Sequence, residues 1–213
     1  MTQLYQAKLG KITDEMYRIS RMENIGIEEL RQLVAQGHVV IVKNSSRENT
    51  SAVAIGSGLK TKIMANIGVI NRQTNLENEP ILETAFKTAF KMNIDNVTEE
   101  NIFEDIEKNC SDGADFIVVH CGLTKAIIDN VSIDKHFSTP ISKGGIITAC
   151  AIKNSGKENP LYEKFDTLLE IAKKYDVTLL LATSLRQSFA GRINKQSIME
   201  TAINSELAKR AYD

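Results

Sequence analysis

One short run of apolar residues in this chain predicts the architecture around it. The run Phe116–Val119 follows Asp115 and leads into His120, Cys121 and Gly122. Four apolar residues between polar and turn-forming neighbours indicate a strand that is buried on both faces, as in parallel sheets. Helical patterns precede and follow this run, so we expect a series of alternating strands and helices. Functional residues of such folds collect at the carboxyl ends of the strands, and His120 falls at such an end.

The remaining apolar patterns predict the other elements of the series. Further strands are expected at residues 38–44, 61–68, 139–152 (which contains a glycine pair) and 177–184. Helices are expected at residues 13–22, 27–36, 80–92, 98–110, 159–175 and about 194–211, with helix and loop over 125–137. Residues 53–59 are less regular, and residues 69–79 are predicted to form a loop. The order favours parallel strands with alternating helices, in a barrel-like or open α/β fold.

Composition narrows the classes of function. The 213 residues suffice for one sizeable α/β domain or an incomplete larger one. With 26 basic and 27 acidic residues, no global charge recruits nucleic acid or a membrane surface. No apolar run is long enough to span a bilayer, and the first ten residues contain no apolar signal core. Cys110, Cys121 and Cys150 are odd in number and far apart, so we expect free thiols and a cytoplasmic protein.

Polar residues stand where the predicted strands end. Asn66, His120, the segment Ser142–Gly145 and Arg186 each follow a different strand, and a parallel fold would bring them to one rim. The segment Ser142–Gly145 suits phosphate, because its two glycines allow backbone N–H groups to approach a ligand. Ser142 supplies a hydroxyl donor and Lys143 a cation. The rim is therefore a candidate site for a small anionic ligand.

Each of these residues also has a purely structural interpretation. The two glycines after Lys143 can form a β-bulge or tight turn, and their spacing alone favours that interpretation. His120 can act as a general acid or base, or simply be a hydrogen-bonded residue at a strand end. Arg186 can clamp an anion or pair with an acidic neighbour on the surface. Cys121 as a nucleophile would need a partner base, and no candidate base lies at a sequence spacing that indicates such a pair.

From end to end, the sequence resembles phosphomethylpyrimidine synthases of the radical S-adenosylmethionine class. ADFIVVHCGLT is similar to the family's V-D-Y-x-x-I-H-A-G, and TPISKGGIITA to its G-I-V-S-R-G-G-S-I-M-A. LKTKIMANIG is similar to K-x-N-x-N-[IL]-G, and residues 158–186 to the family's E-N-F-x-Y through D-G-L-R. The opening motif T-Q-x-x-x-A-x-x-G-x-I-T-x-E-M is matched by Thr2, Gln3, Ala7, Gly10, Ile12, Thr13, Glu15 and Met16.

The resemblance implies a (β/α)8 TIM-type barrel, incomplete here, as a single domain over residues 1–213 with a short α/β extension at about residues 1–60. It also implies lyase chemistry of thiamine biosynthesis: conversion of 5-aminoimidazole ribotide into hydroxymethylpyrimidine phosphate by an adenosyl radical. The implied substrate contacts are Asn66, His120, Ser142, Lys143, Gly144 and Arg186. Lys143 replaces the family's arginine and keeps its charge but not its bidentate geometry.

The chain departs from the family pattern at several motifs. Only eleven residues separate Gly68 from Pro80, where family members have a longer segment with D-L-S-T-G. Leu82 replaces a substrate tyrosine, while Thr183 and Ser184 replace the acid and glycine of D-G-L-R. The E-G-P-G-H metal histidine and the C-x-x-C-x-x-x-x-C cluster motif are absent from the sequence. We therefore expect no iron–sulfur cluster, S-adenosylmethionine, zinc or iron in this chain.

Three interpretations follow from this pattern. The chain can be a family member whose activity belongs to an intact protein or a complex, a non-catalytic paralogue that binds a phosphorylated small molecule, or a shortened oligomeric product without a ligand. In each case we expect the chain alone not to catalyse the family reaction. We expect a homo-oligomer, because an incomplete barrel exposes strand edges, and no nucleic-acid or membrane partner.

Overall fold

A computed structural model describes residues 1–47, 51–63, 99–130, 143–185 and 195–212 of the chain. The helices are α1 Gln3–Lys8, α2 Asp14–Glu23, α3 Ile27–Ala35, α4 Glu99–Ser111, α5 Lys125–Asp129, α6 Lys143–Ser155, α7 Pro160–Glu163, α8 Phe165–Tyr175 and α9 Lys195–Tyr212. The strands are β1 Val39–Val42, β2 Val53–Gly56, β3 Phe116–Val119 and β4 Thr178–Leu181. No helix within these ranges is both long and apolar enough to cross a membrane.

The chain divides into two compact units. The first comprises Met1–Ala89, Lys108–Ile117 and Ala172–Thr178, and the second Phe90–Glu107, Val118–Ile171 and Leu179–Asp213. The core of the first unit forms between helices α1 to α3 and the strands β1 and β2. Its largest fully buried side chains are Met16, Ile19, Leu30, Val34 and Val39.

Helices α2 and α3 of the first unit lie where the sequence predicts them. Thr13 caps α2 by accepting the N–H of Met16 at 3.3 Å, which confirms the predicted start of this helix. Leu30 and Val34 form the buried stripe of α3, four residues apart, as the apolar pattern predicts. Helix α1 was not predicted, because its six residues contain no apolar repeat. Thr2 caps it by accepting the N–H of Tyr5.

The strands of the first unit depart from the parallel arrangement that we expected. β1 pairs with β2 in antiparallel register, with Val39 opposite Gly56 and Val42 opposite Val53. β2 lies in a segment that we predicted to be irregular. The expected strand at residues 61–68 does not begin at Thr61–Ile63, which are not in a strand, and its remainder lies outside the described residues.

A buried asparagine holds the start of β3 within the first unit. Asn44 is fully buried, and its Nδ2 donates to the carbonyl oxygens of Cys110 and Ala114, both at 2.7 Å. Its backbone N–H donates to Asp115 Oδ1 at 2.9 Å, and Arg47 pairs with the other oxygen of that carboxylate. Asp115, the acidic residue in front of the apolar run, therefore fixes the point at which the strand begins.

Strands β3 and β4 form a parallel pair. The N–H of Thr178 donates to Asp115 O at 3.2 Å, and the N–H of Ala182 donates to Val119 O at 2.9 Å. Both hydrogen bonds advance by four residues in the same direction along the two strands, as parallel pairing requires. The predicted strand at Phe116–Val119 is therefore confirmed, as is the α/β class. β4 is only half-buried, with Leu180 exposed, whereas we predicted a fully buried strand.

The predicted strand at residues 139–152 is wrong for the part of the segment that the structure describes, and residues 139–142 lie outside the described residues. Its described part, from Lys143 onward, lies in helix α6. The prediction was wrong because isoleucines favour strands locally, whereas packing decides the outcome here. Ile147 and Ile152 are buried while Ile146 is exposed, so the segment buries one side of a helix. Gly144 accordingly lies in the first turn of a helix.

The second unit has its own apolar core. Leu123, Ile127, Ile152 and Leu185 form it, and Ala149, Met199 and Ile203 pack against it. Helices α7 and α8 divide the predicted helix at 159–175 into two, with the break at Lys164. α9 covers the predicted range of about 194–211.

Candidate functional site

The structure describes part of the predicted rim. His120 and Gly144 are described with their contacts, and Lys143 is described only as the first residue of α6. Asn66, Ser142 and Arg186 lie outside the described residues. Among the described positions, the structure brings His120 and Gly144 together and adds Ser184, all within the second unit. We call these three residues the His120 site.

The first turn of α6 lies directly against the imidazole of His120. A Cβ atom added to Gly144 would lie 2.7 Å from His120 Cδ2 and 2.8 Å from Nε2. Both distances are far below van der Waals contact, so no side chain fits at this position without movement of the ring or the helix. The glycine that we assigned to ligand approach therefore also permits the helix to approach His120.

Ser184 holds the opposite side of the imidazole. Its Oγ lies 2.9 Å from His120 Nδ1, and both residues are buried, with Ser184 fully enclosed. His120 follows β3 and Ser184 follows β4, so parallel pairing places the two residues at the same end of the strands. The hydrogen bond fixes the ring plane and leaves the Nε2 edge facing α6.

A buried glutamate on α9 holds the segment after β4. Glu200 is fully buried, and its two carboxylate oxygens accept the backbone N–H groups of Ser184 at 2.6 Å and Leu185 at 2.9 Å. Buried carboxylates are rare unless such donors satisfy them. Because the side chain of Leu185 also lies in the apolar core, the strand end is fixed by both its backbone and its side chain.

An asparagine before α7 holds the segment after β3. Asn159 is fully buried, and its Nδ2 lies within hydrogen-bonding distance of three carbonyl oxygens, those of His120 at 2.8 Å, Cys121 at 3.3 Å and Leu123 at 3.0 Å. Its Oδ1 accepts the N–H of Leu161 and so caps α7. One side chain therefore shapes the turn that follows His120.

Helix α9 approaches the same turn closely. A Cβ atom added to Gly122 would lie 2.5 Å from Asn204 Oδ1 and 2.8 Å from the carbonyl oxygen of Glu200. Asn204 Nδ2 donates to Ala182 O at 3.4 Å, while its buried Oδ1 has no hydrogen-bond partner within the part of the chain that the structure describes. The turn after β3 therefore requires a glycine at position 122.

The thiol next to His120 is not a nucleophile. Cys121 is fully buried, and burial raises the pKa of its thiol to about 12. The reactive species of cysteine is the thiolate, which this environment disfavours at neutral pH. The position of Cys121 next to His120 therefore does not indicate a reactive thiolate.

Glu200 and Asn159 were not among the residues predicted from the sequence. The role of Asn159 as a helix cap could have been predicted, since an asparagine directly before a proline marks a helix N-terminus. Its contacts with the turn after His120 could not, because those residues are distant in the sequence. Glu200, Asn204 and Leu207 lie on the buried side of α9. A polar residue on the buried side of a helix is the sequence feature that could have indicated Glu200.

Comparisons with known proteins find one family over nearly the whole chain. The model described as the Radical SAM ThiC family matches residues 2–81 and 79–213. Phosphomethylpyrimidine synthase from Desulforamulus reducens is 33% identical over 257 aligned residues, covering 100% of this chain and 60% of the relative. The enzyme of the same name from Thermodesulfovibrio yellowstonii is 37% identical, covering 87% of this chain and 54% of the relative. That from Pyrococcus abyssi is 34% identical, covering 87% and 53%. The chain thus spans little more than half the length of these curated relatives.

Proposed function

The chain belongs to the radical SAM ThiC family, and from this premise we propose that its 213 residues form a ligand-binding part of a phosphomethylpyrimidine synthase of thiamine biosynthesis. The ligand is a phosphorylated small molecule of the family reaction, 5-aminoimidazole ribotide or hydroxymethylpyrimidine phosphate. The observation that carries the proposal is the His120 site. There His120, the first turn of α6 and Ser184 meet, and each comes from a stretch that resembles a family motif.

The start of α6 supports an anionic group in the ligand. The helix is 13 residues long and begins at Lys143, with Gly144 in its first turn. Helix N-termini present unsatisfied N–H groups and a positive dipole end to anions. We propose Lys143, Asn66, Ser142 and Arg186 as further contacts, with Arg186 directed to phosphate or ribose. In this proposal His120 is a hydrogen-bonding substrate contact.

The described cysteines do not fit an iron–sulfur cluster. Cluster ligands are thiolates, whereas Cys110 and Cys121 are buried and Cys150 lies on α6. Among the described residues, no three His, Cys, Asp or Glu side chains lie close enough to hold a metal ion. Because the sequence does not contain the family's C-x-x-C-x-x-x-x-C motif, we propose that these 213 residues bind the ligand and do not carry out the radical reaction by themselves.

The remaining expectations belong to the same proposal. The parallel pair β3–β4 and the helices around it are compatible with a segment of a (β/α)8 barrel. We propose that the chain acts in the cytoplasm as a homo-oligomer of two or more copies, with no nucleic-acid or membrane partner. The reason for proposing self-association is the expectation that an incomplete barrel exposes strand edges. Light scattering on the purified chain tests this point, and a clean monomer would contradict it.

Thermal denaturation with added ligand tests the binding function. A ligand at a hundred times its Kd stabilises the folded state by about 2.7 kcal/mol, so the ribotide should raise the Tm clearly. His120→Gln and Ser142→Ala should each weaken this effect, whereas Glu206→Gln, an exposed change on α9, should leave it intact. Inorganic phosphate serves as the comparison ligand.

The outcomes separate the three interpretations of the chain. A shift with the ribotide that depends on His120 supports the proposal. A shift with inorganic phosphate but not with the ribotide contradicts it. No shift with any phosphorylated ligand also contradicts it and favours a shortened product without a ligand. Absorbance from an anaerobically reconstituted cluster would contradict the proposed division between binding and radical chemistry.

A further inference from the structure

We propose that the carboxylate of Glu200 is an internal ligand: it occupies an anion-binding position after β4, so that an anionic ligand binds there only when helix α9 moves away. The position consists of the backbone N–H groups of Ser184 and Leu185. The carboxylate takes the place of a phosphate or carboxylate group of the ligand. The identity of that ligand rests on the proposed function, whereas the occupied position rests on the described contacts of the second unit.

Two consecutive N–H groups converge on one anion. Those of Ser184 and Leu185 donate to the two oxygens of the Glu200 carboxylate, at 2.6 and 2.9 Å. Successive backbone N–H groups directed at one point form concave sites that proteins use for phosphate and carboxylate groups. The segment follows β4, at the carboxyl end of the parallel pair, where ligands of α/β folds bind. A ligand anion and the Glu200 side chain therefore compete for the same two donors.

The buried side of α9, which carries Glu200, is held mainly by polar contacts. Of the 18 residues of this helix, Glu200, Asn204 and Leu207 are buried, and two of these three are polar. Met199 and Ile203 are only half-buried against the apolar core. Polar contacts exchange for contacts with water at a small net free energy. A helix held in this way therefore separates more readily than a helix with a wide apolar face.

The docked position of α9 also leaves one polar atom unpaired. Asn204 is 7% exposed, and its Nδ2 makes one long hydrogen bond, to Ala182 O at 3.4 Å. Its Oδ1 has no hydrogen-bond partner among the residues that the structure describes. An unpaired buried acceptor is costly, and separation of the helix relieves that cost because water then reaches the amide. The salt bridge of Arg210 with Asp166 lies on the surface, where such pairs add little.

Chemical rescue tests the anion position without any ribotide. Glu200→Ala leaves the two N–H groups without their acceptor and should lower the Tm. Formate, which can occupy the position of the lost carboxylate, should restore part of that loss, whereas chloride at the same ionic strength should not. Glu206→Ala removes an exposed carboxylate from the same helix and should show no rescue. Equal responses of the two variants to formate would overturn the proposal.

Binding of 5-aminoimidazole ribotide tests the competition. We expect Glu200→Ala to lower the Kd for the ribotide at least about tenfold, although this variant is less stable, because no binding free energy is then used to displace α9. A purely structural Glu200 predicts unchanged or weaker binding, and that result would overturn the proposal. If neither protein binds the ribotide while rescue by formate remains, the proposed function is wrong and the anion position stands.

Hydrogen exchange in the wild type decides the question if Glu200→Ala does not fold. Saturating ribotide should accelerate exchange of the α9 amides around Asn204 at least about tenfold, because the ligand binds the state in which α9 has separated. The amides of α2, in the first unit, are the control and should not change. The measurement is repeated with inorganic phosphate, and acceleration by phosphate alone contradicts the proposed ligand but not the anion position. Unchanged or slower exchange of α9 with both anions overturns the inference.

Discussion

Replacing Gly144 with alanine tests whether His120 is held as tightly as the contacts indicate. The new methyl carbon would lie 2.7 Å from His120 Cδ2 and 2.8 Å from Nε2, whereas carbon atoms in contact stay about 3.5–4 Å apart. The ring cannot turn away without losing the 2.9 Å hydrogen bond with Ser184. Such overpacking costs about 1–3 kcal/mol, and the better helix propensity of alanine recovers up to about 1 kcal/mol. We expect the free energy of unfolding to fall by about 1–2 kcal/mol.

A double-mutant cycle in urea isolates the steric contribution. Unfolding is measured for the wild type, Gly144→Ala, His120→Ala and the double variant, with the slope against urea checked for constancy. Once the imidazole is removed, the new methyl group at position 144 has space, so Gly144→Ala in that background should be neutral or stabilise by up to about 1 kcal/mol. An equal loss of stability in both backgrounds would refute the proposed contact between α6 and the ring.

Two further substitutions test the supports of the fold by urea unfolding. Asn159→Ala leaves three carbonyl oxygens of the turn after His120 without their donor and should lower the free energy of unfolding by about 2–4 kcal/mol. Asn130→Ala, which removes one exposed hydrogen bond, serves as the control and should lower it by less than about 1 kcal/mol. Similar losses in the two variants would contradict the role of Asn159 in holding the turn. Burial raises the pKa of Asp176 to about 6 from 3.8, so the wild type should lose stability as the pH rises between these values. Asp176→Asn should therefore gain up to about 3 kcal/mol over the wild type near pH 7.5 and nothing near pH 3.5, and parallel pH profiles would contradict this.

Local patterns predicted the elements whose burial is regular along the sequence. β3 was predictable because four consecutive apolar residues, Phe116–Val119, fit a strand with little exposure on either face. Helix α8 was predictable because Phe165, Leu168 and Ile171 recur at helical spacing and are buried. In both cases the local pattern and the tertiary packing require the same conformation.

The predictions failed where local preference and packing disagree. The run of isoleucine and alanine after Gly145 has no clear period, and its helical state follows from burial of Ile147 and Ile152 in the second unit. β2 is four residues long and contains alanine and glycine, which are rare in strands. Its strand conformation therefore depends on pairing with β1 and not on the preferences of its own residues. Neither outcome could be deduced without knowing the neighbouring element.

The candidate site shows the same division between residues that the sequence pattern marks and residues that orient them. His120 and Gly144 were predictable because they stand beside apolar runs and because strand ends and glycine pairs have a general chemistry. Ser184 was recognised only as a departure from the family motif, and its meaning follows from the distance to His120 Nδ1.

Glu200 was beyond sequence reasoning because its partners are backbone N–H groups, which every residue except proline possesses and no sequence motif marks. The same holds for the carbonyl oxygens that Asn159 contacts. The surroundings of His120 therefore depend on residues whose side chains contact the backbone and not other side chains. A chain that kept His120 and Gly144 but lost either support would retain its motifs, while the orientation of its imidazole would no longer be fixed.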